Sequence, residues 1–284
     1  MQADTELLIF TDMDGSLLCH ETYSHTAADD MLFLLEKTGV PVIPISSKTK
    51  AELLYLRDSL NNKHPFIIEN GAAVFIPIGY FDEQPFGTEV VGEFWVKKFV
   101  HNRHYWQSLI THVSSVDSHK FTTFSELTVG QISELTGLDQ EESKRASRRL
   151  YGEPIVWKGD DDEMIHFIEE LNDMGANVLR GGRFLHVSGE SDKGLALTWL
   201  AEQYKEDNPN SLIKTIAIGD SQNDVAMLEV ADVALIISSP AHQPPKLERR
   251  TNIYISEKFG PAGWTQGVEE ILEQHSTQTE SLKG

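Results

Sequence analysis

The chain has 284 residues, 40% hydrophobic and 24% charged, a length for one large domain or two ordinary ones and the composition of a folded soluble protein. Its 44 acidic and 24 basic residues give a formal net charge of −20, which argues against nonspecific nucleic-acid binding and repels anionic substrates unless a local cation overcomes that background. No window approaches the roughly 18 consecutive apolar residues of a spanning helix, MQADTELL lacks the regions of a signal peptide, and the single Cys19 rules out an internal disulfide framework or a CxxC zinc knuckle. A cytoplasmic protein without membrane or nucleic-acid partners is the expectation.

The first part alternates strand and helix. LLIFT, residues 7–11, predicts a buried strand, and residues 27–37 predict a helix with Met31, Leu34 and Leu35 on one face. A second apolar strand follows at 41–45, a helix with Leu53, Leu56 and Leu60 at 49–60, and further strands at 66–68 and 71–76. The rhythm returns near the end, with a helix at 194–204, a strand at 215–218 followed at once by GDSQND, a short helix at 224–230, a strand at 233–237 and a last amphipathic helix at 263–274. From His275 onward the chain is polar and is expected to fray. Strands alternating with helices predict a Rossmann-like, doubly wound parallel sheet.

The middle has another texture. VKKFVHNRHYWQSL is basic and aromatic, FTTFSELT is rich in hydroxyls, and DQEESKRASRRL is a charged helical run. A helix at 161–174 carries Met164, Phe167, Ile168 and Leu171 on one face, bracketed by short strands at 154–157, 177–179 and 184–187. This predicts an α+β domain, residues 85–187, inserted into an α/β core made of residues 1–84 and 188–284. The rings of the basic stretch could stack bases, but their spacing suits a helix and the chain is acidic.

Ligands of open parallel sheets bind beyond the carboxyl ends of the strands. Asp12 and Asp14 stand just past one such end, Ser46 past a second and Asp220 past a third. Paired carboxylates with open oxygen coordination suit Mg²⁺, which keeps waters and meets phosphate oxygens, whereas HExxH, a dinucleotide fingerprint and a P-loop are all missing. Read singly, Asp12 and Asp14 fit a turn, Lys193 a solvated helix start and Asp220 to Asp224 a capping turn.

Taken together, DMDGS (12–16), Ser46, Lys193 in SDKG and GDSQND (219–224) resemble the motifs of the haloacid dehalogenase superfamily, and the placement of the insertion resembles the cap of its Cof-like branch. Ser16 stands where the family more often has Thr. The resemblance implies a phosphatase in which Asp12 is the nucleophile, forming an aspartyl-phosphate, and Asp14 the acid and base. It also implies Mg²⁺ held by Asp12, the Asp14 carbonyl and Asp220, with Asp224 counted in the metal set. Ser46 and Lys193 would hold phosphoryl oxygens, with Asn223 counted in the phosphate-binding set, and Asn223 and Asp224 would orient Lys193 or the metal's waters.

SSKTKAE (46–52), IENGAA (68–73), KFTTFSELT (120–128), LTGL (135–138), GGRFLHV (181–187) and GPAGW (260–264) further resemble the mannosyl-3-phosphoglycerate phosphatase family. That likeness implies a small phosphate ester carrying a carboxylate and a sugar as substrate. Lys48 is placed for an anion, Arg180 and Arg183 for a carboxylate fork, and Asn70, Thr122, Thr123 and His186 for sugar hydroxyls, each with an ordinary structural role as its alternative. Glucosyl-3-phosphoglycerate, a sugar phosphate or a sucrose phosphate-like ester stays open as the substrate, as does a non-catalytic sensor of a phosphate ligand.

Overall fold

The structure, a computed structural model, describes residues 5–113, 116–181 and 183–281, with side chains to residue 274. In chain order the strands and helices begin with β1 (Thr5–Thr11), α1 (Asp29–Lys37), β2 (Val42–Pro44), α2 (Lys50–Ser59), β3 (Phe66–Ile68), β4 (Ala73–Pro77), β5 (Glu89–Val91) and β6 (Phe94–Lys98). They continue with α3 (Arg103–His112), β7 (Phe121–Thr123), α4 (Val129–Thr136), α5 (Gln140–Ala146), β8 (Glu153–Trp157), α6 (Asp161–Asp173), β9 (Asn177–Arg180) and β10 (Leu185–Ser188). Last come α7 (Lys193–Asp207), β11 (Leu212–Gly219), α8 (Val225–Val230), β12 (Val233–Ser238), β13 (Ile253–Phe259) and α9 (Gly260–Ser281).

The chain divides into two compact units, one of residues 1–46, 63–96 and 192–284, the other of residues 47–62 and 97–191. The first is built on a parallel sheet ordered β13-β12-β11-β1-β2. β11 and β12 read TIAIG and VALII because a parallel sheet covered on both faces buries every side chain, and Ile216 to Ile218 and Val233 to Ile237 are all buried. A parallel bridge from Ile45 to Ile67 carries the pairing on to β3, where a second sheet, β3-β4-β6-β5, begins. Phe66, Phe75 and Phe94 stack and edge together on it.

The expected strand at 71–76 starts later, at Ala73, because Glu69, Asn70 and Gly71 all have positive φ and form a tight turn. Gly71 has no substitute there: a Cβ would stand 2.1 Å from the Asp192 carbonyl oxygen, so this turn is pressed against the start of α7. The expected fraying at His275 is corrected, since α9 continues to Ser281; no Gly or Pro interrupts the segment after Gly267.

The second unit is a four-stranded antiparallel sheet, β7-β8-β10-β9, backed by helices. Its core gathers Trp106 and Ile110 of α3, Phe167 and Leu171 of α6, and Ile155, Leu185 and Val187 of the sheet. Each large side chain buried there contributes roughly 1.5–3 kcal/mol. The fully buried Glu153 takes a bidentate fork from Arg103, at 2.5 and 2.9 Å, and further hydrogens from Gln107 and the Ser125 amide. The helix predicted at 49–60, α2, packs with this unit through α5: a capping box of Thr49 and Glu52 starts it, and Thr49 Oγ1 also donates to the Arg145 carbonyl.

Candidate active site

Four chain segments of the first unit meet at the carboxyl edge of its parallel sheet. Asp12 follows β1, and its amide donates to the Ile218 carbonyl at 2.8 Å, so the ends of β1 and β11 are tied together. The next residues fold back tightly: Leu18 N donates to Met13 O at 2.7 Å and Gly15 N to Leu18 O at 3.0 Å. Gly15 has φ +80°, and a Cβ there would stand 2.5 Å from Asp220 Oδ2, so the turn approaches that carboxylate closely.

Lys193 opens α7 and is fully buried. Both conditions are unfavourable for an ammonium: the helix N-terminus is a positive pole, and burial costs hydration. Two carboxylates reverse the balance, with Lys193 Nζ 2.5 Å from Asp12 Oδ1 and 2.7 Å from Asp224 Oδ1. Burial alone would lower its pKa, but Asp12 and Asp224 raise it above the usual lysine range, so the ammonium is fixed in the charged form. The second oxygen of Asp224 accepts from the backbone amides of Asp220 and Ser221, both at 3.0 Å, which fixes the turn after β11.

Asp12, Asp220 and Asp224 are buried and bring one carboxylate oxygen each within 4.8 Å of one another. Three acids so placed repel, and one lysine balances only part of their charge. Burial is the largest influence on Asp12 and pushes its carboxyl up to about 8, opposed by Lys193 and reinforced by Asp224 and Asp14. Asp220 is raised as well, first by burial and then by Asp224. An all-oxygen cluster with excess negative charge fits a hard divalent cation.

A pH-dependent stability follows. Folded Asp12 keeps its proton to about 8, whereas the unfolded carboxyl releases it near 3.8, so this group's contribution to the stability of the metal-free protein is fully present below about 4 and is lost as the pH rises from there to about 8. A divalent cation bound by the ionised carboxylates would offset the loss. The rise in Tm produced by saturating Mg²⁺ is therefore larger at pH 8 than at pH 5, by about 3 °C or more, since one kcal/mol moves the Tm of a domain of this size about 2–4 °C. Calorimetry checks this, and an increment independent of pH contradicts it.

Of the other residues singled out from the sequence, Ser46 is buried at the end of the β2 segment, with its amide donating to Ile67 and its carbonyl accepting from Asn70. Asn70, in left-handed backbone, accepts from Asn223 Nδ2 at 3.3 Å. Asp14 is half-buried in the turn after Asp12.

Lys48, Thr122, Thr123, Arg180, Arg183 and His186 belong to the second unit. There Thr122 accepts from Lys158 Nζ at 2.6 Å, and Thr123 forms a capping box with Glu126. Arg183 donates to the Leu135 and Thr136 carbonyls, closing the C-terminal end of α4. Arg180 is exposed, 3.4 Å from Asp161. His186 is lowered to about 4, by burial and then by the charge of Arg149. Gly182 of GGRFLHV lies outside the described residues. One residue at the acidic cluster is marked by no motif: His242, whose Nε2 is 3.2 Å from Asp220 Oδ2.

A buried aspartate, a lysine between two carboxylates and an acidic loop stand together at the edge of one parallel sheet. The chain belongs to the haloacid dehalogenase-like hydrolases, whose family model matches residues 9–241. Among curated relatives it is 34% identical over 265 residues to a protein of Methanococcoides burtonii, covering 93% of this chain and 97% of that one. It is 33% identical over 274 residues to a protein of Persephonella marina, covering 94% and 98%. Both are named glucosyl-3-phosphoglycerate/mannosyl-3-phosphoglycerate phosphatase. In fold it is similar to a haloacid dehalogenase-like hydrolase from Bacteroides thetaiotaomicron, with a TM-score of 0.64 at 18% identity, covering 95% of this chain and 99% of that one. Among the described residues no helix is long and apolar enough to cross a membrane.

Proposed function

We propose that this enzyme is a Mg²⁺-dependent phosphoric monoester hydrolase that releases phosphate from a glycosyl-3-phosphoglycerate, the mannosyl ester first, in the cytoplasm. The observation that carries the chemistry is Lys193 held charged between Asp12 and Asp224. The substrate rests on the two relatives' names and on the sequence motifs shared with that family.

Asp12, Asp220 and the Asp14 carbonyl, with Asp224 beside them, would hold the cation, which would supply positive charge to the phosphoryl group and to the attacking carboxylate. Asp12 attacks phosphorus in line, the P–O bond to the alcohol breaks, and an aspartyl-phosphate forms. Asp14 gives its proton to the departing alkoxide and then takes one from the water that cleaves the acyl phosphate, which frees Asp12 and inorganic phosphate. Lys193, with Ser46, binds the phosphoryl oxygens. Asn223 holds the Asn70 side chain at the same edge. The same reading gives residues 85–187 the part of a cap that selects the alcohol, and takes Lys48, Asn70, Thr122, Thr123, Arg180, Arg183 and His186 as substrate-binding residues.

Glucosyl-3-phosphoglycerate is the second substrate to consider, because both relatives carry its name too. A panel assay tests the proposal: phosphate release from mannosyl- and glucosyl-3-phosphoglycerate, hexose phosphates and sucrose phosphate, with Mg²⁺ and with EDTA. The expected kcat/KM for a glycosyl-3-phosphoglycerate exceeds that for plain sugar phosphates at least about 100-fold, as a site built to bind a carboxylate discriminates against its absence, and EDTA abolishes turnover. A strong preference for a hexose phosphate overturns the substrate, and undiminished turnover in EDTA overturns the metal.

A further inference from the structure

His242 stands in the irregular segment between β12 and β13, a stretch with the sequence PAHQPPK that no motif marks. Its ring is two-fifths exposed, and it reaches down to an Asp220 carboxylate that is only 6% exposed. Nε2 lies 3.2 Å from Asp220 Oδ2, and Nδ1 lies 3.2 Å from the Gln243 carbonyl oxygen. Of these two acceptors the carboxylate is charged and therefore the stronger, which places the hydrogen on Nε2.

Asp220 Oδ2 is confined on another side by the backbone of Gly15, where even a Cβ would stand 2.5 Å away. The Asp220 amide, for its part, is anchored on Asp224 Oδ2. The imidazole adds a restraint on the carboxylate itself.

We infer that His242 is a positioning residue for the divalent cation: by donating Nε2–H to Asp220 Oδ2 it holds that carboxylate in the orientation in which it meets the cation. The inference rests on the metal site proposed above. A carboxylate fixed before the cation arrives loses less freedom on binding, and partners of this kind change metal affinity about 10- to 100-fold. The effect is on the affinity for the cation and, through it, on the metal concentration the enzyme requires.

The test is a Mn²⁺ titration of the full chain, read from the electron paramagnetic resonance signal of free Mn²⁺, beside the Tm of the metal-free protein. His242→Ala raises the Mn²⁺ Kd about tenfold or more and leaves the metal-free Tm close to that of the parent. His242→Gln, whose amide still donates, recovers part of the affinity. Asp220→Asn is the control and removes Mn²⁺ binding. Parental Mn²⁺ affinity in His242→Ala, with binding lost in Asp220→Asn, overturns the positioning role and leaves the metal site standing. Parental affinity in Asp220→Asn overturns the metal site and the inference with it.

Discussion

Asp12→Asn loses at least about a thousandfold in phosphate release, with the fold kept, because an amide cannot form the covalent intermediate that divides the reaction in two. The variant keeps the shape of the side chain and removes a buried charge whose carboxyl is pushed up to about 8, chiefly by burial. Its metal-free Tm is therefore equal to or above that of the parent near pH 8, where the native carboxyl is forced to ionise. Phosphate release and a thermal melt on one preparation separate the two effects. Full turnover in Asp12→Asn removes the nucleophile from the mechanism; lost turnover with a collapsed melt makes the residue structural instead.

Lys193→Met has the opposite signature. It takes the ammonium from between Asp12 Oδ1 and Asp224 Oδ1 and leaves two buried carboxylates facing an apolar chain. Breaking a buried pair by removing one partner costs about 3–5 kcal/mol. The loss depends on pH with a definite sign: without the ammonium the Asp12 proton is held still more tightly, so the penalty is smallest at low pH and grows as the pH rises. Urea unfolding at pH 5.5 and pH 8 measures it. An equal loss at both values would falsify the charge account and leave only the change in packing.

The core elements were legible because a parallel sheet buried on both faces has to be written as unbroken apolar runs. LLIFT, FII and VALII gave β1, β3 and β12 to within a residue or two. β13 was not predicted, because an edge strand is covered on one side and YISEKF shows it: of its residues only Ser256 is buried. β5 was missed for the same reason carried further, since all three of its residues are exposed. The grouping of α2 with the second unit was not readable either; its apolar spacing states that one face is covered and not which neighbour covers it.

At the site, the motifs named Asp12, Lys193, Asp220 and Asp224, which the fold brings into one cluster across more than two hundred residues of chain. His242 left no trace in the sequence because a single hydrogen bond from an irregular loop requires neither spacing nor periodicity. Arg183 shows a further use that no side-chain pattern announces: its guanidinium donates to the Leu135 and Thr136 carbonyls at the end of α4.

The buried Trp264 of α9 donates its indole hydrogen to Thr11 Oγ1 at 3.0 Å, and that hydroxyl in turn donates to the Asp12 carbonyl at 2.8 Å. β1 also finds its sheet neighbour in β11, with Thr5 opposite Leu212. The earliest strand of the chain meets β2 early but waits for β11, which leaves the ribosome some two hundred residues later, and for an anchor later still. Residues 97–191, by contrast, hold the main apolar cluster of the second unit within one continuous stretch. During synthesis that stretch can fold first, while β1 still lacks its neighbour β11. Contacts of such long sequence separation slow folding, so the edge that carries Asp12 is expected to be completed late, and truncation before Trp264 is expected to remove the anchor of β1.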